Sequence, residues 1–159
     1  DTKRSKLFSM LVRTITMESR ATQGDKNHPH LRAAIEKARA SNMPTENIER
    51  AVAKGAGVGG DAYTEVLYET YGPGGSAIII EAITDNKNRT AAEVRHLLLE
   101  MGAELASPGS ALWAFKKTAL GWEAQKTVTL TDTDGEKLAA LVEKIEEHAD
   151  VSNVYSNAV

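Results

Sequence analysis

The chain has 159 residues, 42% hydrophobic and 26% charged, an ordinary globular composition with room for one domain or two small ones. It contains no cysteine, which excludes disulfides, thiolate metal sites and cysteine nucleophiles; no apolar run approaches the roughly 20 residues of a membrane span, and no secretory leader follows Asp1, so a cytoplasmic protein with no membrane partner is expected. The net charge of −3 hides a sorting, because residues 1–57 carry 11 Lys+Arg against 6 Asp+Glu while residues 58–159 carry 8 against 16.

A first helix is predicted over about Lys3–Thr22. Leu7, Leu11 and Ile15, widened by Phe8 and Val12, form its apolar face, and Lys6, Arg13 and Arg20 fall opposite as a stripe spaced about 10.5 Å apart. A second helix, about His30–Ser41, buries Leu31, Ala34, Ile35 and Ala38. It carries Arg32 and Arg39 on one flank with Glu36 between them, one turn from Arg32 and able to pair with it. Asn42 and Met43 turn the chain. Pro44, in a first-turn position, opens a third helix that buries Ile48, Ala51 and Val52 and that Gly55 stops. The segment Gly55–Gly60, GAGVGG, holds four glycines in six residues and reads as a hinge.

Beyond it Tyr63–Tyr71 alternates as a strand, Gly72-Pro73-Gly74-Gly75 breaks it, and Ser76–Thr84 returns as a hairpin partner. Thr90 with Glu93 matches a capping box for a helix running to Met101, with an apolar face of Val94, Leu97, Leu98 and Met101 and with Gly102 as a left-handed stop. Strands follow at Ser110–Lys116 and Glu123–Leu130, then a helix from Thr133 to His148 capped by a threonine and Glu136, then a strand, Val151–Ser156. The predicted class is α+β: an N-terminal three-helix domain over residues 1–57 and a two-layer α/β domain over 58–159.

The basic stripe is the first functional candidate, since several cations on one exposed helix face displace counterions from a phosphate backbone. The short turn Ser41–Met43 invites comparison with helix-turn-helix readers, but Glu46 and Glu49 repel phosphate beside Asn47. Gly72–Gly75 lacks phosphate-loop spacing and precedes a strand, so it reads as a tight turn. Asp85, Arg89, Glu93 and His96 are the residues from which an acid/base site could be assembled, although Glu93 is already claimed by the capping box. No nucleophile with an obvious base appears, His28 and His30 flank a proline in poor metal spacing, and neither a metal nor a cofactor is expected. Trp113 and Phe115 alternate on one predicted strand face beside Lys116 and Lys117, which suits base stacking or core packing. The exposed acids Glu143, Glu146 and Glu147 offer, with Arg32, Glu36 and Arg39, a surface for a protein partner.

Two long stretches, Leu31–Gly57 (LRAAIEKARASNMPTENIERAVAKGAG) and Tyr68–His96 (YETYGPGGSAIIIEAITDNKNRTAAEVRH), closely resemble the YebC/PmpR family, and Val151–Ala158 (VSNVYSNA) resembles its last strand. The resemblance covers nearly all residues. It implies a non-enzymatic regulator of gene expression, either a transcriptional regulator binding DNA or a translational activator acting on the ribosome and its RNA. It also implies three domains. The family's basic Gly-His-Ser-Lys-Trp-like start does not precede Asp1, and near residues 118–121, where family members carry a further ferredoxin-like domain, this chain passes straight from Phe115-Lys116-Lys117 to Trp122. The expected nucleic-acid contacts are Lys6, Arg13 and Arg20, with Lys3, Arg4, Arg32 and Arg39 as auxiliaries, all of which position rather than specify.

Overall fold

The structure, a computed structural model, describes residues 2–57 and 62–159. Two compact units divide the chain: Asp1–Thr64 with Ile83–Asp85, and Glu65–Ala82 with Asn86–Val159.

The first unit is built on three helices, α1 (Thr2–Thr22), α2 (Pro29–Ala40) and α3 (Thr45–Ala56). Their apolar stripes meet in one core in which Leu11, Ile15, Leu31, Ile35, Ala38, Ile48 and Val52 are all buried. Each large aliphatic side chain enclosed in this way contributes about 1.5–3 kcal/mol relative to exposure. Pro29 occupies the first turn of α2 behind the cap residue His28, whose ring accepts from the His30 N–H. Asn42 adopts φ 64° and lets Met43 donate back to Ala38, which closes α2 and starts the turn. Pro44 is the cap residue of α3 rather than a residue of its first turn.

Gly55 does not end α3. The helix runs to Ala56 with Gly57 as its cap, and Gly55 is buried against α1, where an added Cβ would overlap the Thr16 carbonyl. The absent side chain permits close helix approach, and the Ser19 hydroxyl fills the same contact by donating to the Val52 carbonyl at 2.6 Å. Residues 58–60 of the expected hinge lie outside the described residues.

The second unit centres on an antiparallel sheet of order β1-β2-β5, with β1 at Thr64–Tyr71, β2 at Ala77–Thr84 and β5 at Val151–Ser156. Strand β2 pairs with β5 from Ile78↔Ser156 to Ala82↔Val151, with a bulge between Glu81 and Ala82. Every residue of β2 is buried, which accounts for an apolar run that only Glu81 interrupts before Thr84. Ile78 and Ile80 pack with Val94 and Leu98 of α4 (Lys87–Glu100) and Leu141 and Ile145 of α5 (Asp132–Glu146). Ala77 and Ile79 face Ala111, Ala114 and Phe115 on the other side. Strands β3 (Phe115–Thr118) and β4 (Gly121–Ala124) form a separate hairpin closed by the pair Thr118↔Gly121.

Several expected boundaries are corrected. Asn86, not Thr90, caps α4, its side-chain oxygen accepting from the Arg89 N–H; Thr90 is buried in the second turn and bonds Asp150. Thr131, not Thr133, caps α5 by accepting from the Asp134 N–H. The strand expected over Ser110–Lys116 is a 3-10 turn, Leu112–Ala114, followed by the short β3, and the one expected over Glu123–Leu130 survives only to Ala124. Gly102, at φ 79°, closes α4 as expected, with Ala103 donating to the Leu98 carbonyl. The last strand matches its predicted bounds.

Candidate nucleic-acid interface

The cations of the helical unit fall into two groups. Lys3, Arg4, Arg20, Arg32 and Arg39 are exposed, whereas Lys6 and Arg13 are half-buried. Arg13 donates to the Ile83 carbonyl at 2.8 Å, and its guanidinium lies 5.3 Å from the centre of the Tyr63 ring. Met10, on the same side of α1 as Arg13, is only 8% exposed. Lys6, Arg13 and Arg20 therefore do not form one solvent-facing ridge: the middle residue is anchored to Tyr63 and to the Ile83–Asp85 segment that clusters with these helices. Arg4 stacks on Phe8, one turn along the same helix, at 5.3 Å.

On α2, Arg32 and Arg39 share one flank and both stay exposed. The expected Arg32–Glu36 pair is not formed; Arg32 donates instead to the Asn27 carbonyl at 3.0 Å. Lys37, missed by the sequence reading, is exposed on the opposite flank. Lys37 and Arg39 stand in the last turn of α2, where they also offset the negative end of the helix dipole. In α3, Arg50 donates to the Asn47 side chain at 2.6 Å, so the residue best suited to reading an adenine is already engaged.

Of the four residues suggested for acid/base work, His96 is exposed and pairs with Glu100 at 2.7 Å. Arg89 and Glu93 join a different group. Arg89 meets Asp150 at 2.9 Å, Thr90 donates to the same carboxylate oxygen at 2.8 Å, and Glu93 lies 3.0 Å from His148 Nε2. His148 Nδ1 accepts from the Asp150 N–H at 3.0 Å, so the ring proton sits on Nε2 and is donated to Glu93. Glu93, His148 and Asp150 have the spacing of a small metal cluster. Arg89 supplies the positive charge inside it, and the group reads as a brace between α4 and the start of β5. The negative charge of Asp150 adds to burial, the larger cause, in raising the Tyr68 pKa.

Trp113 and Phe115 do not share a face: Phe115 is 4% exposed in the core and Trp113 is 55% exposed on the 3-10 turn. The loop before that turn is organised by Glu69, a buried residue whose carboxylate accepts from the N–H groups of Gly109, Ala111 and Leu112 at 2.6–2.8 Å. A second buried carboxylate, Glu81, accepts from Trp122 at 3.3 Å and Asn153 at 3.2 Å and lies 3.8 Å from Lys117. It also helps, after burial, to raise the Tyr155 pKa. The sequence reading missed both glutamates: Glu69 lies in a stretch that alternates as a strand and Glu81 interrupts an apolar run, and neither local pattern shows what the carboxylate meets. Glu143, Glu146 and Glu147 are exposed on α5 and after it.

The sequence model of the TACO1/YebC protein N-terminal domain matches residues 1–58, and that of the TACO1/YebC second and third domain matches residues 63–120 and 116–158. A Chloroherpeton thalassium protein named "Probable transcriptional regulatory protein" is 54% identical over 119 residues, which are 74% of this chain and 48% of that protein. A Thermotoga maritima protein of the same name is 52% identical over 74% of this chain and 47% of its own length. A third, from Fervidobacterium nodosum, is 46% identical over 92% of this chain and 60% of its own. The chain thus spans about half the length of the first two relatives. The crystal structure of a conserved hypothetical protein, Aq1575, from Aquifex aeolicus superposes with a TM-score of 0.89 at 29% identity, covering 100% of this chain and 91% of that one. With both domain models matching and half-identical relatives over three quarters of its length, the chain belongs to the TACO1/YebC family.

Proposed function

We propose that this chain is a non-enzymatic regulator of gene expression that holds nucleic acid by its phosphates through the helical unit, with Arg32 and Arg39 as principal contacts and Lys3, Arg4, Arg20 and Lys37 around them. The carrying observation is the charge sorting of the chain, 11 cations against 6 acids in residues 1–57, together with two arginines on one exposed flank of α2, neither held in an ion pair among the described residues. The name shared by the relatives, "Probable transcriptional regulatory protein", supports the regulatory role and favours DNA as the polyanion. The exposed pairing of His96 with Glu100, and the Arg89 guanidinium held on Asp150, support binding over catalysis. Among the described residues no helix is long and apolar enough to cross a membrane, and a cytoplasmic site of action suits the reading.

About three to five phosphate contacts correspond to a fall in log affinity with log salt of slope roughly −3 to −4.5 on B-DNA. Arg32→Ala with Arg39→Ala should flatten that slope by about two units, measured by fluorescence anisotropy of a labelled duplex across a salt series. An unchanged slope would discard the assignment. The translational alternative uses the same phosphate chemistry, and co-sedimentation with ribosomes at matched salt ranks the two targets. Failure to bind either polyanion would point to a protein partner at the acidic α5 surface.

A further inference from the structure

We propose that Trp113 is a stacking platform for an unpaired nucleobase, with Lys116 and Lys126 steering the backbone of the single strand that carries it. The inference rests on the nucleic-acid reading above and adds a contact of a different kind, in the second unit.

The indole is 55% exposed, yet it is held by one side-chain bond and the backbone beneath it by two further contacts. Its Nε1–H donates to the Tyr71 hydroxyl at 2.8 Å, and Tyr71 in turn donates to the Ser110 carbonyl. The Trp113 carbonyl accepts from Gln125 Nε2 at 3.1 Å. The N–H groups of Gly109, Ala111 and Leu112 converge on the buried Glu69 carboxylate just upstream. With its one donor satisfied inside the protein, the ring has no polar handle left for a partner and offers a flat apolar face. A ring already fixed loses little conformational entropy when something stacks on it.

The charges beside it select the occupant. Lys126 borders the turn because its N–H donates to the Ala114 carbonyl at 3.2 Å, and Lys116 follows the buried Phe115 on β3. Both are exposed, and among the described residues neither ammonium is held in an ion pair, even though Glu123 is the cross-strand partner of Lys116. An aromatic face accompanied by cations is the device with which proteins hold single strands, since every base has a π-face and every linkage a phosphate. Bases inside a duplex are already stacked, so the platform suits a melted or looped segment.

The test uses the whole chain with a deoxythymidine 12-mer, a uridine 12-mer and an abasic deoxyribose-phosphate 12-mer, read by intrinsic tryptophan fluorescence. The chain has two tryptophans, so the difference between wild type and Trp113→Phe isolates the signal of Trp113. Quenching by the base-bearing oligomers and not by the abasic one is expected, and the tighter of the two names DNA or RNA as the source. Trp113→Ala should weaken single-strand binding about 5- to 100-fold, with Trp113→Phe recovering most of it. If Trp113→Ala binds like wild type while Arg32→Ala with Arg39→Ala binds more weakly, stacking is overturned and the phosphate reading stands. If the wild type binds none of the oligomers or duplexes, both fall.

Discussion

Arg13 and Arg39 carry the same charge in the same unit and sit in opposite surroundings. Arg13 gives a charged hydrogen bond to a carbonyl and lies over a tyrosine ring, whereas Arg39 stays on the exposed flank of α2. Loss of a charge-assisted bond of this kind costs about 1.5–3 kcal/mol, and a partly exposed cation–π contact about 0.5–1 kcal/mol. Because the site is only half-buried, Arg13→Ala should lower unfolding free energy by about 1–3 kcal/mol in urea titration while leaving the salt slope of DNA binding unchanged. A flatter slope with unaltered stability would reverse these roles. The helical period placed Arg13 opposite the core formed by Leu11 and Ile15, and that placement was right. Periodicity reports only the face turned to one core, and it could not show that Tyr63 and Ile83, distant in sequence, cover the other side.

At the level of the element, α1 to α3 were legible because their apolar spacing is sustained over several turns. Their ends, and the irregular stretch from Ser107 to Ala114, were not. The Thr90–Glu93 spacing matched a capping box, but Asn86 does the capping, and Thr90 is drawn instead into the buried bond to Asp150 sixty residues later. Trp113 read as a strand residue because its alternation with Phe115 is all that a local pattern contains; the Glu69 carboxylate that bends the loop into a turn is 40 residues upstream. Glycines divide in the same way. At Gly102 an added Cβ meets nothing within 4 Å, so Gly102→Ala should cost only the left-handed backbone, about 1 kcal/mol. At Gly55 the Cβ would overlap the Thr16 carbonyl and come within 2.7 Å of the Ser19 Cβ. Prising α1 from α3 should outweigh the gain of about 1 kcal/mol in helix propensity, so Gly55→Ala should be net destabilising and shift the urea midpoint further than Gly102→Ala.

Over the whole molecule, the separation of positive and negative charge along the sequence follows the division into units closely, which is why the two were visible from composition before any strand was assigned. Two phenols of the second unit bear on stability at alkaline pH. Tyr68 and Tyr155 both have pKa values raised above the ordinary value near 10, by burial first and then by Asp150 and Glu81 respectively. The folded state therefore keeps these phenol protons to higher pH than the unfolded chain does. Their contribution is complete below about pH 10 and is lost as pH rises through the folded values. Unfolding free energy should decline above that point, and Tyr68→Phe with Tyr155→Phe should make the decline shallower; equal slopes in the two proteins would place its origin elsewhere.

The hairpin β3–β4 turns through Ala119 and Leu120, and Leu120 is 97% exposed. The two stretches matching the second and third domain of the family overlap at residues 116–120, at this tip. Thr118 and Gly121 are opposed in register, so the backbone enters and leaves the tip about 5 Å apart. Any polypeptide whose own ends lie side by side can be spliced there without moving a strand beneath it. The tip is thus the point of the hairpin at which added chain would disturb the strands beneath it least.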